Sequence, residues 1–145
     1  MNGTVYFDTS ALAKWYLNER RSEDVERYIR AHGPVSISTL TVVEMRSLLA
    51  RRRRERSIDA RTEMRVWGTF EEDVRLGFLI RHPLEDGVVA SAAHLLAVAA
   101  RVPLRTLDVL HLAVAREIQT NAVATADKVQ AAGAQALGLS VVRFD

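Results

Sequence analysis

Four acidic residues stand where short apolar segments end or where helices begin, although they are far apart along the chain. Asp8 directly follows the apolar run VYF, and Asp127 follows the segment AVATA in a similar way. Glu44 lies about one helical turn beyond VSIS, and Asp108 begins the helical pattern DVLHLAVA. Residues that follow the strands of an open parallel sheet converge at one edge, so we expect these four carboxylates to meet there.

Carboxylates that are held close together repel one another, and this raises their pKa values unless cations neutralise them. We expect Mg²⁺ or Mn²⁺, because these ions take carboxylate oxygens and water and leave positions for a substrate phosphate. Such ions activate water and stabilise the leaving oxygen in an in-line phosphodiester displacement. The pattern therefore indicates a metal-dependent phosphodiesterase site.

Each of these acids also has a purely structural interpretation. The spacing from Thr41 to Glu44 fits a helix capping box, in which the Glu44 side chain would accept from the Thr41 backbone amide. Asp108 and Asp127 fit caps or dipole partners of the helices that they begin. Asp8 is one of three consecutive N-cap candidates for the first helix. Spacing alone leaves both interpretations open.

The elements that must position these acids alternate between strands and helices, which predicts an α/β fold with a mainly parallel sheet covered on both faces. We expect strands at 4–7, 35–37, 122–125 and 141–144, while 76–80 fits either a short strand or a helix exit. We expect helices at 10–17, from 22 to the Gly33-Pro34 break, and at 41–56, 59–75, 90–100, 107–119 and 128–137, the last ended by Gly138. A chain of 145 residues with 48% hydrophobic content predicts a single domain, 1–145.

Composition excludes several classes of protein. The chain has no cysteine, so disulfides, thiolate catalysis and cysteine-bound zinc are excluded. No apolar stretch approaches the roughly 20 residues of a membrane span, and no signal-peptide pattern is visible at the N-terminus. We therefore expect a cytoplasmic protein without membrane contact.

Positive charge is concentrated in residues 46–65, which carry eight arginines against three acidic residues. Arginine binds phosphate bidentately, so this segment is a candidate surface for a nucleic acid. A solvated helix face is the alternative, because arginine outnumbers lysine 18 to 2 throughout the chain. The candidate phosphate contacts are Lys14, Arg46, Arg51, Arg52, Arg53 and Arg54.

Four segments resemble the PIN-domain ribonucleases, and within them the VapC-type toxins of bacterial toxin–antitoxin pairs. These segments are VYFDTSALAKWYL, STLTVVEMRSLLAR, LRTLDVLHLAVA and AVATADKVQAAGAQALGLSVV. They fall in family order across nearly the whole length, and the third is the most restrictive. The resemblance implies a PIN-like three-layer α/β/α sandwich with a central, mainly parallel sheet and a Mg²⁺- or Mn²⁺-dependent active site.

The same resemblance implies an endoribonuclease in which metal-activated water hydrolyses RNA, often structured RNA such as tRNA, without a side-chain nucleophile. Family members commonly form homodimers and are inhibited by a small VapB-type antitoxin, so both are expected partners. Ser10 matches a hydroxyl that steadies a metal-bound water or ligand, and Thr125 is a further candidate. The implied catalytic residues are Asp8, Ser10, Glu44, Asp108 and Asp127, and all of these except Ser10 are implied metal ligands.

Two other functions compete with this interpretation. An aspartyl phosphatase would use Asp8 as a covalent nucleophile, but haloacid-dehalogenase-type enzymes place a second aspartate two residues later, where this chain has Ser10. A catalytically silent PIN-like module would bind RNA or protein through its basic helix. The presence of all four matching acids favours catalysis over such a module.

Three large side chains near the acids have their own alternatives. His111 follows Asp108 by one helical turn and is either a ligand for a softer metal or a histidine packed at the edge of the core. Its apolar neighbours Leu107 and Leu110 favour packing. Trp15 and Tyr16 have the spacing of core or interface residues, and base stacking is a less favoured use.

Overall fold

A five-stranded sheet forms the centre of the molecule, in a computed structural model that describes residues 4–145. Residues 1–3 of the predicted domain lie outside the described residues. The strands are short, and the three inner ones are entirely buried. They are β1 (Val5–Phe7), β2 (Val35–Ser38), β3 (Leu79–His82), β4 (Ala122–Thr125) and β5 (Val141–Arg143).

All neighbouring strands are parallel, in the order β3-β2-β1-β4-β5. The chain therefore adds strands on one side of β1 first and then crosses to the other side, where β4 pairs with β1 in the register Phe7 opposite Ala124. In open parallel sheets, the place where the strand order reverses leaves a crevice beyond the carboxyl ends of the strands. Here that place lies between β1 and β4.

Within residues 4–145, seven helices cover the two faces of the sheet. Both faces need cover, because successive side chains of β1 are buried on opposite faces. Val5 and Phe7 pack into the core under the first four helices, whereas Tyr6 points to the opposite core under the last three. The result is a three-layer α/β/α sandwich. The helices are α1 (Thr9–Tyr16), α2 (Ser22–His32), α3 (Thr39–Arg54), α4 (Ala60–Leu76), α5 (Asp86–Val98), α6 (Thr106–Glu117) and α7 (Lys128–Ala136).

The predicted fold class is confirmed, two helix starts need correction, and the segment that fitted either a strand or a helix exit is assigned. The open segment 76–80 contains the start of β3, whose neighbour β2 shields it on one side only, so just Leu79 is buried. Helix α5 begins at Asp86 rather than at Ala90. Helix α3 begins at Thr39 rather than Thr41, because Ser38 occupies its N-cap position and donates its backbone N–H to Thr41 Oγ1 at 3.1 Å.

Two predicted helix ends match the structure closely. Helix α2 stops one residue before Gly33, and Gly138 follows α7 with a φ of 77°, a left-handed conformation that glycine adopts without steric cost. Among residues 4–145, none of the helices is long and apolar enough to cross a membrane.

Candidate active site

A cleft of about 350 Å³ opens beyond the carboxyl ends of the strands, at the crevice that the strand order creates. All four acids predicted from the sequence line it, together with Ser10. We call it the acidic cleft. Its lining consists of Asp8, Thr9, Ser10, Glu44, Ser47, Leu48, Arg51, Arg105, Leu107, Asp108, His111 and Asp127.

Asp8 lies at the base of the acidic cleft, between the end of β1 and the start of α1. Its side chain is almost completely buried and is the N-cap of α1, with Oδ1 accepting from the backbone N–H of Ala11 at 3.1 Å. The Ser10 hydroxyl donates to the same oxygen at 2.7 Å, and the Thr125 hydroxyl donates to Oδ2 at 2.5 Å. Burial raises the pKa of Asp8, although the charge of His111 and these hydrogen bonds oppose the increase.

Asp127 lies just beyond the end of β4, and Thr125 of that strand connects it to Asp8 by hydrogen bonds. Thr125 Oγ1 accepts from the backbone N–H of Asp127 at 3.0 Å while it donates to Asp8. Asp127 is the N-cap of α7, and its Oδ1 accepts from the backbone N–H groups of Val129 and Gln130. The two aspartates are therefore held by a shared hydroxyl across neighbouring strands.

Asp108 approaches the acidic cleft from the first turn of α6. Its Oδ2 accepts from the backbone N–H of Arg105 at 3.0 Å, and the Arg105 guanidinium lies 3.7 Å from the same oxygen. The structural interpretation of Asp8, Asp108 and Asp127 as helix caps is therefore also correct, and each of them reaches the acidic cleft from its capping position.

Glu44 is held by side chains rather than by a helix terminus. Its Oε1 accepts from the Thr9 hydroxyl at 2.7 Å and from Nε2 of His111. The capping-box interpretation of Glu44 is therefore wrong, because Thr41 fills that position for Ser38 instead. Burial acts to raise the pKa of Glu44, but the hydrogen bonds and charge of His111 and the Thr9 hydrogen bond outweigh it and lower the pKa below its ordinary value.

His111 links Glu44 to the core. Its ring is buried, and Nδ1 lies 2.6 Å from the hydroxyl of Tyr6, a fully buried tyrosine of β1. That hydroxyl donates to Ser38 Oγ at 3.0 Å. Both ring nitrogens of His111 are therefore engaged within the protein, which agrees with the interpretation as a histidine at the core edge and not with that of a ligand for a softer metal.

Comparison with known proteins identifies the family. The sequence model of the PIN domain matches residues 5–136, which is most of the chain.

The chain belongs to the PIN domain family.

Solved structures of toxins and toxin–antitoxin complexes share the fold of this PIN domain at low sequence identity. VapC20 of Mycobacterium tuberculosis, described as a sarcin–ricin loop cleaving toxin, is 20% identical with a TM-score of 0.73, over 97% of this chain and 99% of its own. The FitAcB structure from Neisseria gonorrhoeae is 18% identical with a TM-score of 0.72, over 95% of this chain and 96% of its own. VapBC2 of Rickettsia felis, bound to a promoter DNA fragment, is 10% identical with a TM-score of 0.67, over 98% of this chain and 99% of its own. Among curated proteins, none matches this chain significantly.

The donor chemistry of the acidic cleft fits a hard divalent cation. Within residues 4–145, no group of three acidic or histidine side chains is arranged as a complete metal-binding set. Mg²⁺ commonly binds through one or two carboxylates and keeps several waters, so it does not require such a set. No described group donates a hydrogen bond to Asp108 Oδ1, Asp127 Oδ2 or Glu44 Oε2, which leaves these oxygens free for a cation.

The predicted basic contacts separate into different locations in this PIN domain. Arg51 lines the acidic cleft. Lys14 lies outside the acidic cleft, where it donates to the Arg20 backbone carbonyl at 2.8 Å and pairs with Glu19. Arg46 pairs with Glu63 at 2.9 Å and lies over the Trp67 ring. These two side chains hold neighbouring elements together and lie outside the acidic cleft.

The other three arginines of the predicted run also lie outside the acidic cleft. Arg52 and Arg53 line a second groove, beside the connection between α3 and α4, and Arg54 is exposed at the end of α3. Trp15 and Tyr16 pack against the core, and the Tyr16 hydroxyl donates to Asp73 at 2.6 Å. Their interpretation as core residues therefore agrees with the structure.

The sequence interpretation missed three residues that position the acids: Tyr6, Thr9 and Arg105. Tyr6 and Thr9 contact partners that are 105 and 35 residues away, so no local spacing indicates them. Arg105 precedes Asp108 by three residues, and this capping distance was the one signal available.

Proposed function

We propose that this protein is a divalent-metal-dependent endoribonuclease, acting as a VapC-type toxin that a cognate VapB-type antitoxin inhibits. One observation carries the proposal: four carboxylates from separate parts of the chain line one cleft at the strand-order reversal of a PIN domain. Asp8, Glu44, Asp108 and Asp127 would hold Mg²⁺ or Mn²⁺. The bound ion would supply a water of lowered pKa and stabilise the charge that develops on a phosphodiester.

The remaining residues of the acidic cleft position these acids and the RNA. Ser10 and Thr125 fix both oxygens of Asp8, and His111 and Thr9 fix Glu44. Arg51 presents positive charge at the same cleft, where it would pair with an RNA phosphate. Preorganised charges of this kind lower the barrier because they do not reorganise during the reaction.

The experiment that tests the proposal is cleavage of RNA by the purified protein. Total tRNA and ribosomal RNA are both suitable substrates, the second because the related VapC20 is described as cleaving the sarcin–ricin loop. We expect discrete fragments with Mg²⁺ or Mn²⁺, none with EDTA, and none with Asp8→Asn.

The matched control is Asp86→Asn, which removes an exposed carboxylate from the first turn of α5, outside the acidic cleft. This variant should cut RNA as the wild-type protein does. Cleavage that persists in EDTA or in Asp8→Asn would refute the proposed site. A folded protein that binds RNA and Mn²⁺ without cutting would favour a silent binding module instead.

The proposed partners follow from the same family membership. Several of the solved structures that share the fold are toxin–antitoxin complexes, which supports a cognate antitoxin. A homodimer is also proposed, because α5 leaves Val89, Leu96 and Val98 exposed although their chemistry favours burial. Light scattering of the wild-type protein and Val98→Lys tests the dimer. We place the activity in the cytoplasm, where RNA and antitoxin are both present.

A further inference from the structure

A second groove, of about 850 Å³, lies between the α1–α2 connection and the α3–α4 connection. Arg52, Arg53, Arg56 and Arg65 line it, and we call it the arginine groove. We propose that the arginine groove binds the phosphate backbone of the RNA strand whose scissile phosphate lies in the acidic cleft. This inference rests on the proposed function and extends it from the site of cleavage to a separate binding track.

The arginine groove has an excess of uncommitted positive charge. Arg52 pairs with Glu19 at 3.2 Å. Within residues 4–145, Arg53, Arg56 and Arg65 form no salt bridge, and all three are exposed. Three guanidinium groups that share one concave surface offer several bidentate donors to phosphate oxygens, which arginine matches better than lysine does.

The two carboxylates in the arginine groove do not cancel this charge. Glu19 is already shared between Arg52 and Lys14. Asp59 is the N-cap of α4, where its Oδ1 accepts from the backbone N–H of Thr62 at 2.8 Å. The charge of Arg53 also contributes to a lowered pKa of Asp59, after the hydrogen bonds to Thr62. Four arginines against two carboxylates still leave the lining of the arginine groove with a net charge of +2.

Helix α3 connects the two sites. Their closeness along this helix favours RNA over an acidic protein as the occupant of the arginine groove. Glu44 and Arg51 line the acidic cleft, and the next two residues, Arg52 and Arg53, line the arginine groove. The distance along the helix from Glu44 to Arg53 is about 14 Å at 1.5 Å per residue. The two sites are therefore close enough along α3 for one RNA strand to reach both.

Arg56 offers a variant that separates binding from stability. It has a φ of 61° at the end of α3, where its N–H donates to Arg53 O and the N–H of Ser57 donates to Arg52 O. This motif favours glycine at the left-handed position, so Arg56→Gly removes a groove charge without straining the backbone. Gln119 has a φ of 53° in the same motif at the end of α6. Gln119→Gly is therefore a matched control, with the same backbone change and no loss of charge.

The test is fluorescence anisotropy of a labelled mixed-sequence oligoribonucleotide across a salt series. All proteins carry Asp8→Asn so that the RNA stays intact. We expect Arg53→Ala, Arg56→Gly and Arg65→Ala each to weaken binding several-fold and to reduce the salt slope by about 0.7, the value for one lost single-strand phosphate contact. Gln119→Gly should leave the slope unchanged, and so should Arg101→Ala, which removes an exposed positive charge between α5 and α6.

The outcomes distinguish this inference from the proposed function. If the three arginine variants keep the parent slope while the wild-type protein cuts RNA, the arginine groove is not an RNA site and the ribonuclease proposal stands. If their slopes fall although the wild-type protein cuts no RNA, the groove is an RNA site and the ribonuclease proposal fails. Loss of antitoxin binding without any change in the RNA slope would overturn the inference in favour of a protein occupant.

Discussion

Removing the hydroxyl of Tyr6 tests the chain of contacts that holds Glu44. Tyr6 is 0% exposed, and its hydroxyl contacts Ser38 Oγ at 3.0 Å and His111 Nδ1 at 2.6 Å. His111 in turn bonds Glu44, so the tyrosine connects the centre of the sheet to the acidic cleft. Tyr6→Phe deletes the hydroxyl and keeps the buried ring, so the apolar surface removed from water changes little.

The magnitude follows from the partners that the substitution leaves behind. Both Ser38 Oγ and His111 Nδ1 are buried, and an unsatisfied buried polar group costs about 1–3 kcal/mol. Ser38 Oγ keeps a long contact to Thr41 Oγ1 at 3.5 Å, which places its cost at the low end. With about 1 kcal/mol for Ser38 and about 1–3 kcal/mol for His111, we expect Tyr6→Phe to lower the free energy of unfolding by about 2–4 kcal/mol.

Urea denaturation of the metal-free protein measures this loss, as a shift of the midpoint at an unchanged slope. Tyr28→Phe is the matched control, because the Tyr28 ring is half-buried and its hydroxyl has no hydrogen-bond partner among residues 4–145. The control should stay within about 0.5 kcal/mol of the wild-type value. Equal losses in the two variants would show that the Tyr6 hydroxyl does not stabilise the site, and would refute the reasoning.

Three further predictions test the acidic cleft and the packing beneath it. Burial raises the pKa of Asp8, so the folded state binds this proton more tightly than the unfolded state, and the metal-free stability should fall as pH rises through that pKa. Urea unfolding across pH should show this fall in the wild-type protein and not in Asp8→Asn. Mg²⁺ at one hundred times its dissociation constant should raise the free energy of unfolding by about 2.7 kcal/mol, and Asp108→Asn should reduce the gain. Gly133→Ala would place its Cβ 2.5 Å from Leu104 Cδ2 and should lower the free energy of unfolding by about 1–3 kcal/mol. Gly68→Ala meets no atom within 4 Å and should raise it by about 0.5–1 kcal/mol. Thermal unfolding measures both changes, and the opposite order of stability would contradict the packing argument.

The sequence predicts the elements whose burial follows a regular pattern. Strand β4 is found at its predicted bounds, because small apolar residues buried on both faces are typical of an inner parallel strand. Strand β3 lies at the edge of the sheet with one buried residue of four, so it carries no such pattern. The sequence pattern does not reveal the start of α5, because Gly87 in its first turn is a weak helix former. Packing does not require glycine there, since a Cβ at this position would meet no atom within 4 Å.

The sequence predicts which acids line the candidate site, but it does not predict the hydrogen bonds that hold them. The four acids follow from strand ends and helix starts, which the chain order reveals. The links from Thr9 to Glu44 and from Tyr6 to His111 depend on how α1, α3 and α6 are oriented over the sheet. Side-chain packing across the whole domain sets those orientations, and no local spacing encodes them.

The structure also changes how the two interpretations of the aspartates relate to each other. In the sequence, a capping role and a metal-binding role are alternatives, because each explains an aspartate before a helix. In Asp108 and Asp127, the cap uses only one carboxylate oxygen: Oδ2 accepts from Arg105 in the first, and Oδ1 accepts from Val129 and Gln130 in the second. The other oxygen of each side chain receives no hydrogen bond from the described residues.

A cap of this kind prepares an aspartate for a cation. It fixes the side-chain orientation with backbone donors on one carboxylate oxygen and leaves the other oxygen unbonded among the described residues. The free oxygen of each aspartate would then be available to a cation without any rearrangement of the helix. Truncation to alanine at either position should consequently lose both helix stability and metal affinity, whereas asparagine should keep most of the cap and lose the affinity alone. Comparing Asp127→Asn with Asp127→Ala by urea unfolding and Mn²⁺ titration checks this separation, and equal stability of the two variants would argue against a cap that matters to the fold.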